Sequence, residues 1–138
     1  MALEKMIPLM LDGIRDTMYM TTVSTLFAYL LGLPLAILLV LTSPKGLKPM
    51  PLLYRILDAL VNVFRSIPFL ILMILVIPLT RIIAGKAYGS TATIVPLVIG
   101  AAPFYARLVE TALREVDRGV IEATQAMGAT TWQLVTRV

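Results

Sequence analysis

The chain has 138 residues, 59% of them hydrophobic and only 14% charged, and its net charge is +4. A soluble domain is nearer half apolar and a quarter charged. Here the apolar excess is gathered into runs, which argues for a membrane protein and against a soluble helical bundle. With no cysteine and no histidine, disulfides, thiolate nucleophiles and imidazole ligands are excluded, and the acidic residues form no cluster that would hold a metal.

Residues 1–16 carry Glu4, Asp12 and Asp16 and are interrupted by Pro8 and Gly13. No small-residue cleavage pattern follows a short apolar core, so a secretory signal peptide is not expected. A short interfacial helix or tail is. Residues 17–44 are uncharged. As a helix they reach about 40 Å, enough for a hydrocarbon core of about 30 Å. The first span is placed at 17–42, with Gly32 and Pro34 inside it.

Residues 43–51 read as a loop, since proline and glycine break them repeatedly. A second helix is expected next. Its early part is amphipathic, with Arg55, Asp58, Asn62 and Arg65 at three- and four-residue steps. Its later part is apolar, and the second span is placed at 57–79. Arg65 falls near its polar end, where a long side chain snorkels to the interface. A loop with Arg81 and Lys86 leads to a third span at 91–113, containing Pro96, Pro103 and the small-residue patch Gly100-Ala101-Ala102. Small residues let helix backbones approach closely in lipid.

Lysine and arginine counts set the orientation. The first connection holds Lys45, Lys48 and Arg55. The segment after the third span holds Arg107, Arg114, Arg118 and Arg137. The second connection holds only Arg81 and Lys86. The first and third connections therefore face the cytoplasm and the amino terminus faces out. The basic residues lie between apolar runs without aromatic interleaving, so they mark topology and not a nucleic-acid surface.

A short polar helix is expected over 118–127. Asp117 caps its start, Glu122 suits its positive end, and Gly128 stands where a helix stops in left-handed geometry. Thr130-Thr131-Trp132-Gln133 matches a capping box, so another helix begins near Thr131. Val120, Ala123, Ala126 and Met127 would let the short helix sit shallowly in a groove of another protein, methionine adapting to an irregular surface. The same spacing also fits a surface turn that touches nothing.

The stretch Glu122-Ala123-Thr124, followed by Gly128-Ala129, resembles the "EAA" loop of bacterial ABC-importer permeases. Asn62-Val63-Phe64-Arg65-Ser66-Ile67-Pro68-Phe69 resembles the Phe-Arg-Ser/Gly-x-Pro signature of amino-acid import permeases. With Ile94-Val95-Pro96-Leu97 and Gly100 through Arg107, the ordered set is most similar to permeases of methionine importers. Thr124 departs from the pattern, standing where many members have a second alanine. The resemblance covers the chain from about residue 13.

The resemblance implies an all-α membrane protein of the type I importer fold. Residues 1–138 would form one transmembrane permease domain, incomplete at its C-terminus. It would hold three spans, a cytoplasmic coupling helix and the start of a fourth span out of five. Gly119, Glu122, Ala123, Thr124, Ala126, Met127, Gly128 and Ala129 would couple to an ATP-binding cassette ATPase. ATP and magnesium would be bound by that partner, and no cofactor by this chain. The chain indeed has no Gly-x-x-x-x-Gly-Lys-Ser/Thr phosphate loop. Further partners implied are a second permease subunit, an extracytoplasmic substrate-binding lipoprotein and membrane lipid, with no nucleic acid. The location implied is the bacterial inner membrane, and the cargo an amino acid, methionine in the L or D form. The alternatives are a truncated fragment that does not transport, or a permease for another amino acid or small solute. A membrane enzyme lacks any nucleophile–base or metal constellation here.

Arg65, Ser66, Pro68, Pro103, Arg107 and Glu110 are candidate pathway or gate residues. Against that, Arg107, Glu110 and Arg114 at three- and four-residue steps also read as an interfacial ion pair of a few tenths of a kcal/mol. Asp58 and Arg65, two turns apart, read as interface anchors. Met18, Met20 and Met73 read as lipid- or neighbour-facing side chains, and Trp132 as an interface anchor.

Overall fold

The computed structural model describes residues 2–138, which fold as seven helices in chain order. These are α1 (Ala2–Thr42), α2 (Pro51–Ser66), α3 (Phe69–Leu75), α4 (Ile77–Ala84), α5 (Ser90–Arg114), α6 (Arg118–Ala126) and α7 (Thr131–Arg137). Among the described residues there is no strand.

The first helix differs from expectation. The short interfacial helix or tail expected over 1–16 is, over residues 2–16, helical but not separate, because α1 runs unbroken from Ala2 through both Pro8 and Gly13. Pro8 lies in the second turn, where its missing N–H leaves the Glu4 carbonyl without an intrahelical partner and α1 continues regardless, and a helical glycine costs only about 1 kcal/mol. At 41 residues, α1 is about 60 Å long, roughly twice a hydrocarbon core.

The second helix also differs. The helix expected over 57–79 is cut into three pieces. Pro68 forces Ile67 out of the helical region into extended geometry (φ −79°, ψ 123°), and α2 meets α3 at a bend of 109°. A second break at Val76 precedes Pro78, which sits in the first turn of α4. Two helices, α1 and α5, are long and apolar enough to cross a membrane, and the bent pair α2–α3 makes a third if it counts as one span.

The core lies between α1 and α5. Ser24, Ala28, Gly32 and Ala36 recur every fourth residue and are all buried, forming a ladder of small side chains along one face of α1. Ala92, Ala102 and Ala106 are buried on α5. Gly32 sits against α5 so closely that an added Cβ would lie 2.7 Å from Tyr105 Cδ1 and 2.9 Å from the Ala102 carbonyl oxygen. The rings of Tyr29 and Tyr105 meet at 5.4 Å. Tyr19 Oη and Thr91 Oγ1 hydrogen-bond at 3.3 Å nearer the other end. Residue numbers rise together along the two helices, so α1 and α5 run parallel. The segment α2–α4 makes the return between them, with α2, α3 and α4 each packed on α5.

This topology puts the 43–50 connection and the 115–117 connection at one end, as the charge pattern requires. After Thr42 the chain folds back on α1. The Lys48 and Met50 amides donate to the Leu41 and Thr42 carbonyls, each at 3.0 Å, which satisfies acceptors the helix end would leave bare.

Candidate functional site

The end of the molecule that holds both connections carries two groupings of interest. One is the α6–α7 arm and the other is a charged cluster between α2 and α5.

Three residues separate α5 from α6. The Asp117 carboxylate accepts the Gly119 amide at 2.6 Å and caps α6. The helix ends at Ala126, one residue short of the expected 127. Gly128 follows at φ +86°, left-handed geometry that any other residue would adopt only with strain. Thr130 then opens α7 with the expected capping box: its hydroxyl accepts the Gln133 amide at 3.3 Å, and the Gln133 side chain accepts the Thr130 amide at 2.8 Å. Leu134 is buried and fixes α7 to the body. Trp132 is exposed.

The faces of α6 are unequal. Ile121 and Thr124 turn inward, Gly119, Ala123 and Ala126 lie exposed on the opposite side, and Glu122 is exposed at the boundary, where it borders the inward cleft. Met127 is 80% exposed at the helix end, and Ala129 is half-buried behind Gly128. Thr124 stands apart from the other candidates, because its hydroxyl donates back to the Val120 carbonyl at 2.7 Å. The inward side of α6 edges a cleft of about 500 Å³ that also touches Val40 and Leu41 of α1, Lys45 of the first connection and Leu134 of α7.

The charged cluster was only half legible. Arg107 Nη1 donates to Glu110 Oε2 at 2.7 Å, as helical spacing suggested. Its Nη2, however, reaches across to α2, donating to Asp58 Oδ1 at 2.7 Å and Asn62 Oδ1 at 2.8 Å. Arg114 donates to Glu110 Oε1 from Nη2 at 2.8 Å and from Nε at 3.2 Å, and to Tyr54 Oη at 3.3 Å. Asp58 thus pairs with Arg107 and not with Arg65. Tyr54, Asp58 and Asn62 form one stripe on α2, and Tyr54 was missed because its hydroxyl gives no charge signal. The Glu110 side chain is only 3% exposed. The helical ion pairs are thus present, but the cluster is more than an interfacial pair along one helix: Glu110 is a buried carboxylate held between two guanidinium groups and Arg107 also bonds α2.

The remaining gate candidates lie elsewhere. Arg65 is exposed, and the Ser66 hydroxyl donates to the Asn62 carbonyl at 2.7 Å, closing α2 just before Pro68. Pro103 is buried inside α5, one turn ahead of Arg107. Arg65 borders a cleft of about 380 Å³ at the α2–α3 break, with Phe64, Phe69 and Phe104 around it. The small patch on α5 receives α3 here: an added Cβ on Gly100 would touch Leu72 Cδ2 at 3.3 Å. Met18 is exposed, while Met20 and Met73 are half-buried.

An all-helical chain with parallel apolar helices and a capped polar arm at their common end has the build of a transport-system membrane subunit. Residues 28–138 match the model of the binding-protein-dependent transport system inner membrane component, and the chain belongs to that family. The D-methionine transport system permease protein MetI of Salmonella typhi is 50% identical over 135 residues, 98% of this chain and 62% of that protein. MetI of Escherichia coli K12 matches to the same extent. A probable D-methionine transport system permease protein MetI of Vibrio cholerae is 47% identical over 130 residues, 94% of this chain and 58% of that protein. A solved structure of the MetNI methionine ABC transporter in an inward-facing conformation superposes with a TM-score of 0.95 at 50% identity, over 98% of this chain and 62% of that one. The chain thus spans about three-fifths of the length of the relatives it matches.

Proposed function

We propose that this chain is the pathway-forming permease part of an ATP-driven methionine importer in a bacterial inner membrane. In this reading α1, the bent α2–α3 pair and α5 are three spans, and α7 begins a fourth. The amino terminus lies outside and α6 in the cytoplasm, an orientation supported by Lys45, Lys48, Arg114 and Arg118 at one end. A second permease subunit completes the pathway, and a substrate-binding protein delivers cargo from outside. The similarity to D-methionine permeases and to the MetNI transporter supports both cargo and assembly.

The carrying observation is the outer face of α6. Gly119, Ala123 and Ala126 are small and exposed, Glu122 is an exposed charge at the edge of that face and of the inner cleft, and caps fix the helix at both ends. Such a face fits a shallow groove on an ATP-binding cassette ATPase. Closure of the ATPases on ATP would move α6, and the work delivered is set by the difference in its contacts between two states. The ATP and its magnesium belong to the partner.

The test uses the complete permease with its ATPase and binding protein in proteoliposomes. Glu122→Ala and Gly128→Val, the second straining the left-handed stop by about 1–2 kcal/mol, should each cut ATP-dependent uptake at least tenfold. Normal uptake and normal binding-protein-stimulated ATP hydrolysis in both variants would refute the reading.

A further inference from the structure

The helix α2 packs on both α5 and α1, with Leu53, Leu57 and Phe64 half-buried. Val61 is its only buried residue. By contrast α1 and α5 share an extended interface of small residues. To the apolar packing of α2 the polar cluster adds directed bonds between α2 and α5: Arg107 bridges to Asp58 and Asn62 on α2, while Glu110, buried on α5, holds Arg107 and Arg114 in place.

The cluster is electrically balanced, two carboxylates against two guanidinium groups, so it is self-contained. It is also costly. A buried carboxylate and its partners give up hydration that their mutual attraction only partly returns, and an apolar substitute of similar volume is often at least as stable. The Arg107 Nε is buried without a partner among the described residues. Packing alone would be served as well by leucines. What the polar cluster adds is direction: Arg107 holds α2 at one register along α5.

Its position gives the register a consequence. On α5 the cluster ends at Arg114, three residues before the Asp117 cap of α6. On α2 it ends at Asn62, whose carbonyl holds Ser66 just before the extended Ile67 and the 109° bend. We infer that Asp58, Asn62, Arg107, Glu110 and Arg114 are positioning residues that clamp α2 to α5, so that a displacement of α6 is delivered to the break at Ile67–Pro68. This rests on α6 being the element that receives force from the ATPase. With the clamp closed, α5 and α2 move together and the α2–α3 bend absorbs the motion. With it open, α5 slides past α2 and ATP is hydrolysed without moving cargo.

The experiment measures methionine accumulated per ATP hydrolysed by the complete transporter in proteoliposomes. Asp58→Asn takes the charge out of the bridge to α2, leaving Arg107 only neutral acceptors there, and keeps Glu110 between its two arginines. The expected result is at least a fivefold fall in uptake per ATP, with ATPase co-purification unchanged and ATP hydrolysis within twofold of wild type. A purely structural role would lower the amount of transporter and leave that ratio alone. If Asp58→Asn does not assemble, Asn62→Ala, which keeps every charge paired, should lower the ratio at least twofold. An unchanged ratio in the variant that assembles overturns the clamp. Glu122→Ala run alongside separates the two claims. Loss of ATPase docking there with an intact ratio in Asp58→Asn refutes the clamp alone. Intact docking and uptake in both Glu122→Ala and Gly128→Val refutes the proposed function instead.

Discussion

The α1–α5 interface and the α6 arm use the same small residues to opposite ends. Ala28, Gly32 and Ala36 on α1 meet Ala102 and Ala106 on α5, and all are buried. Gly119, Ala123 and Ala126 on α6 are all exposed. In the first case the absence of side-chain bulk lets two backbones touch, which is how helices gain contact when lipid offers no hydrophobic drive between them. In the second the same absence leaves a shallow face, with no helix of the described chain packed along it. Small residues are therefore informative only together with what lies opposite them.

That contrast can be broken by enlarging one residue on each surface. Gly32→Val should be the most damaging change. Its Cβ would sit inside contact distance of the Ala102 backbone, which cannot rotate away. The expected loss is about 3 kcal/mol, read as a shift in denaturant unfolding in detergent micelles. Stability unchanged by Gly32→Val would show that the helices are not in register. Ala126→Leu, an enlargement on the outer face of α6, should alter unfolding by no more than about 0.5 kcal/mol. Its effect should instead be a fall of at least fivefold in the amount of ATPase that co-purifies. A stability loss comparable to that of Gly32→Val would mean that this face is covered within the permease itself.

Much of this was legible beforehand, and the misses have definite causes. Caps are local chemistry, so Asp117, Gly128 and the Thr130–Gln133 box predicted the arm to within a residue. Pro68 reads as a kink within one continuous span, since proline is tolerated inside spans, and the structure goes further, breaking the helix at Ile67. At Pro8 the error ran the other way, because α1 continues through the one hydrogen bond that the ring removes. The cross-helix half of the charged cluster was out of reach. Nothing in the spacing of Asp58 and Arg107, 49 residues apart, announces that they meet. Without that contact, Glu110 reads as one member of an interfacial pair along a single helix. The four-residue ladder Ser24-Ala28-Gly32-Ala36 could have been found from spacing alone, and the more conspicuous patch at 100–102 drew attention from it.

The absence of cysteine allows the docking claim to be tested by single-site cross-linking. Ala126→Cys places a thiol on the outer face of α6. Tyr88→Cys places one at the far end of α5, where the side chain is 77% exposed. In membranes carrying the assembled transporter, a short thiol-anchored photo-cross-linker should join position 126 to the ATPase subunit and leave position 88 free of it. Capture of the ATPase from position 88, or none from position 126, would contradict the account.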